Sequence, residues 1–467
     1  MRVPSGRVGE VVAELLVGPL TFRSYAASMT LWSQALELAR ATPASRNRYV
    51  DLLRAISILA VVFGHWLAAA PYRGTSGALE FTHLLAAAPS SQYLTWVIQV
   101  MPVFFFVGGY SNGISWRAAA RRGGDYSTWL DGRLRRLIAP TIPVVVLWGA
   151  LGLLAPRLGV DPEWAARGSQ VALIPLWFLA VYLVIALLVP LTHRLWERLG
   201  LASLLVLGLP AFALDAWFFL REPGTPTPLA CWLNYLAVWC TVHQLGYAWL
   251  DGRLAGGRRL FMLALGLGGV IAATRLGPYP LSMVGVPGDA VSNTTPPKAV
   301  ILLLGIGQVG GLLLLEGVAR RWLARERVWA LTVLVNGMIM TVFLWHMTVL
   351  VLGTALAQAA GGWGLEAVPP SSSWWSWKLI WLALWTLGLL IAVSPLIRFE
   401  RPRAGIAAPA WRQVVAALAF STGLGLMAYG GVAGSGALGV RLEVVLPIVL
   451  GVLLGLPKGP RSGSQAA

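Results

Sequence analysis

Charged residues and cysteines are both scarce in this sequence of 467 residues. Only 12% of the residues are Asp, Glu, Lys or Arg, whereas 57% are hydrophobic and the mean hydropathy is +0.70. Soluble domains usually contain about twice that share of charge. The two cysteines, Cys231 and Cys240, lie nine residues apart within one apolar run. They are predicted to be small core residues, and no disulfide framework is expected.

Two signatures of nucleotide and metal chemistry are also missing from the sequence. No Walker loop is present. The His, Cys and carboxylate residues do not follow the spacing of metal ligands. Neither a bound metal nor a permanently bound cofactor is therefore expected.

The hydrophobic residues are concentrated in runs of about 18 or more, which are long enough to cross a bilayer as helices. The chain is therefore predicted to be an all-α polytopic membrane protein surrounded by membrane lipids. The predicted spans are 50–70, 92–116, 134–155, 171–190, 201–220, 229–250, 259–276, 299–319, 330–355, 374–396, 411–432 and 440–456. The last span is short and begins with Arg441 and Glu443, so it either crosses the membrane or lies partly in the interface.

Positive charge is distributed unevenly between the segments that connect these spans. The two tails and the even-numbered loops carry 27 of the 36 Lys and Arg residues. This asymmetry follows the positive-inside rule and predicts a multi-pass plasma-membrane protein with both termini in the cytoplasm. It also accounts for most of the net charge of +17, so no nucleic-acid partner is expected. Arginine outnumbers lysine 33 to 3, a composition that resembles coding from a high-GC bacterium.

The first predicted span contains two polar residues that are costly in lipid. Arg54 and His65 are eleven residues apart, which is three helical turns plus about 20°, so they share one face about 16 Å apart along the axis. Asp51 lies one turn before Arg54 and can pair with it. A deeply placed imidazole is favoured as a neutral base. The spacing thus predicts a cation near the cytoplasm and a candidate base inside the protein.

Other polar residues of the predicted spans have structural explanations. Glu316 can pair with an arginine one turn later, and Asp215 lies toward the outer end of its span, where it can face water. His243 is expected to be a hydrogen-bonded residue between helices. His83 and His193 are expected in loops and carry no functional signal.

Five short motifs follow one another along the chain. They are the D-x-x-R-x10-H pattern of Asp51, Arg54 and His65, MPVFFFVGGY (101–110), RLRRLIAP (133–140), LWFLAVYL (176–183) and TVFLWHMTVL (341–350). Together they resemble the motifs of the membrane-bound acyltransferase 3 family. Gly109 and Pro175 depart from the family pattern, which more often has serine and histidine at these positions. Gly109 and Gly113 also form G-x-x-x-G, a pattern that lets helices approach closely.

The resemblance implies a domain organisation. An acyltransferase-3-like transmembrane domain of about ten spans occupies residues 46–398, after a cytoplasmic extension at 1–45. Additional transmembrane segments, one or two spans, follow at 399–457, before a cytoplasmic tail at 458–467. Met29 is an alternative start, since the motifs do not need residues 1–28.

The resemblance also implies a reaction, in which an acyl group, expected to be acetyl, moves from acyl-CoA to a hydroxyl group. Acyl-CoA is then a co-substrate, and the hydroxylated acceptor is a glycan, a lipid-linked sugar or a secondary metabolite. His65 is the expected general base. Arg54 is the first of the expected donor-binding residues, and Asp51 is expected to orient it. The other expected donor-binding residues are Arg133 and Arg136. The residues expected to line the site are Phe105, Gly109, Tyr110, Trp177 and His346.

Two other functions fit an apolar polytopic chain. Secondary transporters and flippases for lipid-linked or polar substrates often contain internal repeats and broken helices. No clear repeat relates the two halves of this chain, although Gly108 and Gly109 are suited to a broken helix. A non-catalytic membrane scaffold of the same fold is the third alternative. Acyl transfer that depends on His65 would favour the enzyme over both.

Overall fold

The computed structural model describes residues 30–222, 224–400, 407–434 and 438–455, which form α-helices and one short β-hairpin. Nine helical segments within these ranges are long and apolar enough to cross a membrane. The predicted all-α polytopic membrane fold is confirmed. The predictions for residues 1–29, including the alternative start at Met29, and for the tail at 458–467 lie outside the described residues.

The helices of the described residues are, in chain order, α1 (Leu31–Ala41), α2 (Arg48–Ala68), α3 (Leu84–Ala87), α4 (Thr95–Ile98), α5 (Met101–Arg121), α6 (Tyr126–Leu154), α7 (Pro162–Leu173), α8 (Leu176–Leu199), α9 (Ala202–Phe219), α10 (Asn234–Leu250), α11 (Arg258–Arg275), α12 (Ala299–Leu323), α13 (Glu326–Asn336), α14 (Ile339–Ala359), α15 (Ser372–Leu396), α16 (Ala410–Gly430) and α17 (Leu442–Gly455). Short 3-10 turns lie at Pro89–Leu94, Ala155–Leu158, Leu229–Leu233 and Ile397–Glu400. Strands β1 (Ala69–Arg73) and β2 (Leu79–His83) form an antiparallel hairpin directly after α2. The candidate spans contain α2, α5, α6, α8, α9, α12, α14, α15 and α16.

Three of the predicted spans correspond to helices that are too short or too charged to count as candidate spans. Helix α10 has 17 residues and α17 has 14, whereas about 20 are usually needed to cross a bilayer. Helix α11 has 18 residues, but three of them are arginines. Helix α10 is buried along most of its length, so its apolar sequence reflects packing against protein.

The predicted span 330–355 is wrong as a single helix, because α13 ends at Asn336 and α14 begins at Ile339. Asn336 and the following Gly337 are poor helix formers. The Asn336 side chain donates one hydrogen bond back to the carbonyl of Thr332 at 2.8 Å and another to the carbonyl of Asp51 at 2.9 Å. The break therefore ties α13 to the first turn of α2.

The described residues separate into two compact units. Unit 1 comprises the residues up to Ala118, Leu191–Ile339 and Gly362–Leu379, and unit 2 comprises Ala119–Pro190, Met340–Gly361 and the residues from Ile380 on. In unit 1, α11 packs along α12, α9 along α10 and α1 along α13. In unit 2, α16 packs along α17, and α6 and α7 pack on α16.

Helices α5 and α10 of unit 1 meet backbone to backbone. A Cβ added at Gly109 would lie 1.8 Å from the carbonyl oxygen of His243, and one added at Gly246 would lie 2.3 Å from that of Phe106. No side chain fits at these distances. Gly109 and Gly246 therefore set the separation of the helices, and Gly109 is the first glycine of the G-x-x-x-G pattern.

Gly109→Ala is expected to destabilise the protein by about 1–3 kcal/mol or more, because overpacking forces the two backbones apart. Thermal unfolding of the purified protein in detergent measures the change. Gly149→Ala in α6 is the control, since a Cβ there meets open space, and alanine favours a helix over glycine by about 1 kcal/mol. If both variants unfold at the same temperature, the close contact between α5 and α10 does not contribute to stability.

Candidate active site

A pocket of about 210 Å³ lies beside the N-terminal end of α2 in unit 1. Its lining residues are Ser45, Arg46, Asn47, Val50, Asp51, Arg54, Tyr110, Ser111 and Ile114. Helix α2 begins here because Asn47 caps it, with Oδ1 accepting a hydrogen bond from the backbone N–H of Tyr49 at 3.2 Å. Asp51, Arg54 and Tyr110, which were all predicted for the site, therefore meet at one pocket.

Asp51 has Arg46 as its closest ionic partner in this pocket. Arg46 Nε donates to Asp51 Oδ2 at 2.7 Å, and Arg46 Nη2 donates to Oδ1 at 2.8 Å. Both side chains are at most 4% exposed, and such bidentate pairs are among the strongest hydrogen-bonded contacts. Sequence reasoning missed Arg46, which lies outside the motif. Its signal was a basic residue just before the start of the helix that carries Asp51.

Arg54 makes looser contacts than Arg46. Its Nη1 lies 3.7 Å from Asp51 Oδ1, and its Nη2 donates to Ser111 Oγ at 3.0 Å. The Arg54 side chain is 22% exposed. The predicted contact between Asp51 and Arg54 is present, but the shorter bonds of Asp51 go to Arg46. Arg54 therefore presents a guanidinium group that Asp51 neutralises only in part.

Asn47 links the pocket to a second ionic cluster. Its Nδ2 donates to Tyr110 Oη at 3.1 Å, and its Oδ1 accepts from Arg320 Nη2 at 3.0 Å. Glu316 accepts from Arg320 at 2.7 Å and from Arg259 at 3.1 Å, which confirms the predicted pairing of Glu316. These hydrogen bonds hold Asn47 and the Tyr110 hydroxyl in place at the pocket.

His65 lies on the same helix as Arg54, three turns further on. Helix α2 is unbroken from Arg48 to Ala68, so the predicted axial separation of about 16 Å applies. His65 is half-buried and is not among the residues that line the pocket. The structure thus places the candidate base and the pocket toward opposite ends of one helix, both within unit 1.

Two residues predicted to line the site, Phe105 and Gly109, lie at contacts between helices. Phe105 is fully buried and stacks on Trp239 with the ring centroids 4.5 Å apart. Gly109 lies at the contact with α10, where it faces the backbone of His243. Of the three predicted lining residues on α5, Tyr110 is the one that lines the pocket. The centroid of its ring lies 4.5 Å from that of Trp249.

The other predicted site residues, Arg133, Arg136, Trp177 and His346, belong to unit 2. The Arg133 guanidinium lies 5.5 Å from the ring centroid of Trp129, and Arg136 and Trp177 are half-buried. His346 is fully buried, and its Nδ1 lies 2.6 Å from a backbone carbonyl oxygen of α14. Because a carbonyl oxygen only accepts, Nδ1 carries the hydrogen.

The prediction that Asp215 faces water is wrong. Asp215 is 1% exposed and accepts hydrogen bonds from Asn234, from Tyr279 and from the backbone N–H of Ala299 at the start of α12. A carboxylate with these partners joins three segments of unit 1. His243 agrees with its prediction, since it is fully buried and its Nε2 lies 3.1 Å from Asn112 Nδ2.

Three basic side chains were placed wrongly or overlooked. His193 was expected in a loop but lies in α8, 3% exposed, and accepts a hydrogen bond from Arg117 Nε at 2.9 Å. His83 was also expected in a loop but is the last residue of β2. Lys378 lies in α15, within a candidate span, and is 3% exposed. Its signal was a lysine inside the predicted span 374–396.

Two glycine patterns that resemble enzyme signatures lie inside helices. Residues 109–113 read G-Y-S-N-G in α5, and residues 305–310 read G-I-G-Q-V-G in α12. A nucleophile elbow and a dinucleotide fingerprint both need a turn between a strand and a helix. A Cβ added at Gly310 would lie 2.5 Å from the backbone nitrogen of Leu263, so this glycine packs α12 on α11. Neither pattern forms the site that its letters suggest.

Comparison with known proteins identifies the family of the chain. A family model described as an acyltransferase domain matches residues 47–450, which include α16 and part of α17. No curated protein and no solved structure matches the chain. The predicted division at residue 398 stays a prediction. Because the match covers nearly the whole chain, including His65 and all the residues that line the pocket except Ser45 and Arg46, the protein belongs to the acyltransferase 3 family and is a membrane acyltransferase.

Proposed function

We propose that the protein transfers an acyl group, with acetyl expected, from acyl-CoA to a hydroxyl of a glycan, a lipid-linked sugar or a secondary metabolite. The observation that carries this proposal is the placement of Arg54 and His65 on one face of one unbroken helix. A partly exposed guanidinium suits a phosphate group, and an imidazole suits proton transfer. In this proposal the Arg54 guanidinium binds the phosphate end of acyl-CoA, and the His65 imidazole lies at the thioester end.

The charge of the pocket supports an anionic donor. Arg46 and Arg54 bring two positive charges to the pocket, and Asp51 brings one negative charge. Because Arg46 and Asp51 bind each other in a bidentate pair, Arg54 is the cation that supplies attraction for a phosphate. The N-terminal end of α2 adds a partial positive charge at the same place. Ser111, whose Oγ lies 3.0 Å from Arg54, adds a hydroxyl to the lining.

His65 acts as the general base in the proposed reaction. It takes the proton of the acceptor hydroxyl as that oxygen attacks the carbonyl carbon of the thioester. The new C–O bond forms, the C–S bond breaks, and the proton passes to the CoA thiolate. The long pantetheine arm spans the axial distance of about 16 Å between the pocket and His65. Arg133 and Arg136 remain proposed donor-binding residues, and Trp177 and His346 proposed lining residues, of unit 2.

Release of the CoA thiol tests the proposed function directly. Purified protein in detergent is incubated with acetyl-CoA, and free thiol is followed with and without hydroxyl acceptors. Thiol release that depends on an acceptor and on His65 supports the enzyme. Substrate transport in vesicles by protein that releases no thiol would support the transporter or flippase instead.

Arg54→Ala is expected to raise the KM for acyl-CoA about 10- to 100-fold, because a hydrogen bond to a charged group contributes about 1.5–3 kcal/mol. Steady-state kinetics at varied donor concentration and equilibrium binding of CoA measure the effect. Arg40→Ala is the matched control, since Arg40 is 68% exposed in a surface pair with Glu326. A donor affinity that stays the same in Arg54→Ala would remove Arg54 from the donor site.

A further inference from the structure

Lys378 is a buried lysine at the other end of α2 from the pocket. Its Nζ donates to the carbonyl oxygen of Trp66 at 3.0 Å and to that of Ala69 at 2.5 Å. The ammonium group also lies 4.8 Å from the ring centroid of Trp374. Burial of a charged group in a membrane protein is costly, so such residues usually have a role.

The two carbonyl groups belong to the end of the helix that carries His65. Ala69 directly follows Ala68, the last residue of α2, and its backbone N–H donates to the carbonyl of His65. The last carbonyls of a helix have no partner within it and need donors from elsewhere. The chain enters β1 directly at Ala69, where Lys378 provides donors and a positive charge that suits the negative end of the helix.

The same segment also holds the hairpin that follows α2. The backbone N–H of Arg73 donates to the carbonyl of Leu365 at 2.6 Å. Trp374 packs in a buried cluster with Ala70 and Leu84. The residues 362–379 thus fix the hairpin and the end of α2 through backbone and side-chain contacts within unit 1.

His83 is the imidazole on the hairpin strand β2, directly opposite Ala69. Its Nδ1 accepts a hydrogen bond from the backbone N–H of Leu85 at 3.3 Å. Burial, and then the Lys378 ammonium, lower the pKa of His83. A neutral His83 adds no positive charge beside Lys378 at this end of the helix.

We propose that Lys378 is a positioning residue for acyl transfer, whose ammonium group fixes the last turn of α2 and thereby the place of His65. The inference rests on the proposed function, in which His65 is the base. Lys378 does not touch the donor pocket, whose lining lies at the other end of α2. It therefore acts on the chemical step and leaves donor binding unchanged.

Lys378→Met, Lys378→Gln and Lys378→Arg test this role in the full-length purified protein. Methionine keeps the chain length without a donor, glutamine keeps a neutral donor, and arginine keeps the charge. We expect Lys378→Met to lower kcat about 10- to 100-fold, since a misplacement of about 1 Å can cost about 10²-fold. The KM for acetyl-CoA and the equilibrium binding of CoA stay within about twofold. Lys378→Arg is expected to restore most of the lost kcat, and Lys378→Gln less.

Lys298→Met is the matched control, because Lys298 is also a buried lysine of unit 1, 1% exposed and packed over the ring of Phe218 at 3.7 Å. Lys298 lies away from the end of α2. The kcat of the Lys298→Met variant, per folded molecule, is therefore expected to stay at the wild-type value. A kcat for Lys378→Met equal to that of Lys298→Met, with His65→Ala inactive, overturns the role of Lys378 and leaves the proposed function standing. An active His65→Ala overturns both.

If one variant does not fold, the remaining Lys378 variants test the positioning role. If Lys378→Met is not recovered as a monodisperse protein, Lys378→Gln and Lys378→Arg are compared at equal amounts of folded protein. A kcat that falls from wild type through arginine to glutamine, at constant affinity for CoA, supports the positioning role. Equal kcat values in all three proteins, or a loss of CoA binding in step with kcat, overturn it.

Discussion

His65→Ala is expected to lower kcat by about 10²–10⁴-fold, the usual contribution of a general base. Alanine removes the proposed base and leaves α2 intact, because alanine is a strong helix former. The affinity for acyl-CoA is expected to stay unchanged, since the proposed donor pocket lies three turns away at the start of the helix. Thiol release and acceptor acylation, measured at varied acyl-CoA concentration on protein of matched stability, give the kcat and the apparent affinity for acyl-CoA.

His193→Gln is the control for the loss of an imidazole elsewhere in unit 1. His193 is 3% exposed and accepts a hydrogen bond from Arg117, and the glutamine carbonyl can accept the same bond. This variant is expected to retain activity. Near-normal transfer by His65→Ala in the same assay would exclude His65 as the base and leave the pocket without a known catalytic group.

Asp51→Asn is expected to lower the free energy of unfolding by about 3–5 kcal/mol, the usual cost of removing one partner of a buried ion pair. Arg46 would keep a guanidinium that is 4% exposed and has lost its bidentate carboxylate. Arg54 would lose its contact at 3.7 Å as well. Unfolding of the purified protein in detergent measures this effect.

Two further variants separate a buried charge from a missing contact. The double variant Arg46→Met with Asp51→Leu removes both charges, and it is expected to recover most of the stability lost in Asp51→Asn. Glu163→Gln is the exposed control, because its pair with Arg167 is more than 60% exposed on both sides and is expected to contribute at most about 1 kcal/mol. Equal destabilisation by Asp51→Asn and Glu163→Gln would show that the buried pair contributes no more to stability than the exposed pair does.

Helical periodicity predicted that Arg54 and His65 share one face of α2, because the relation between the two residues is local. Residues eleven apart share a helix face whatever surrounds them. The same local logic placed Asp51 beside Arg54 and Glu316 beside Arg320, and both contacts are present. Short-range geometry was therefore sufficient for these pairs.

The other contacts of the pocket residues could not be predicted from helical periodicity. Ser111 lies 57 residues from its partner Arg54 along the chain, and Tyr110 reaches Asn47 only because α5 packs beside the start of α2. Arg46 is close in sequence to Asp51 but precedes the helix, where no regular period predicts the direction of a side chain. The competition between Arg46 and Arg54 for one carboxylate appears only in three dimensions.

The amino-acid sequence alone was sufficient to predict a helical membrane protein, a resemblance to the acyltransferase 3 family, and a cation and an imidazole on one helix face. The three-dimensional structure was needed to show which apolar segments lie inside protein, as α10 does, and which polar groups are buried, as Asp215 and Lys378 are. Sequence could not show this because an apolar run is equally suited to lipid and to a protein interior. A buried polar group is acceptable only with partners, and here those partners come from distant parts of the chain.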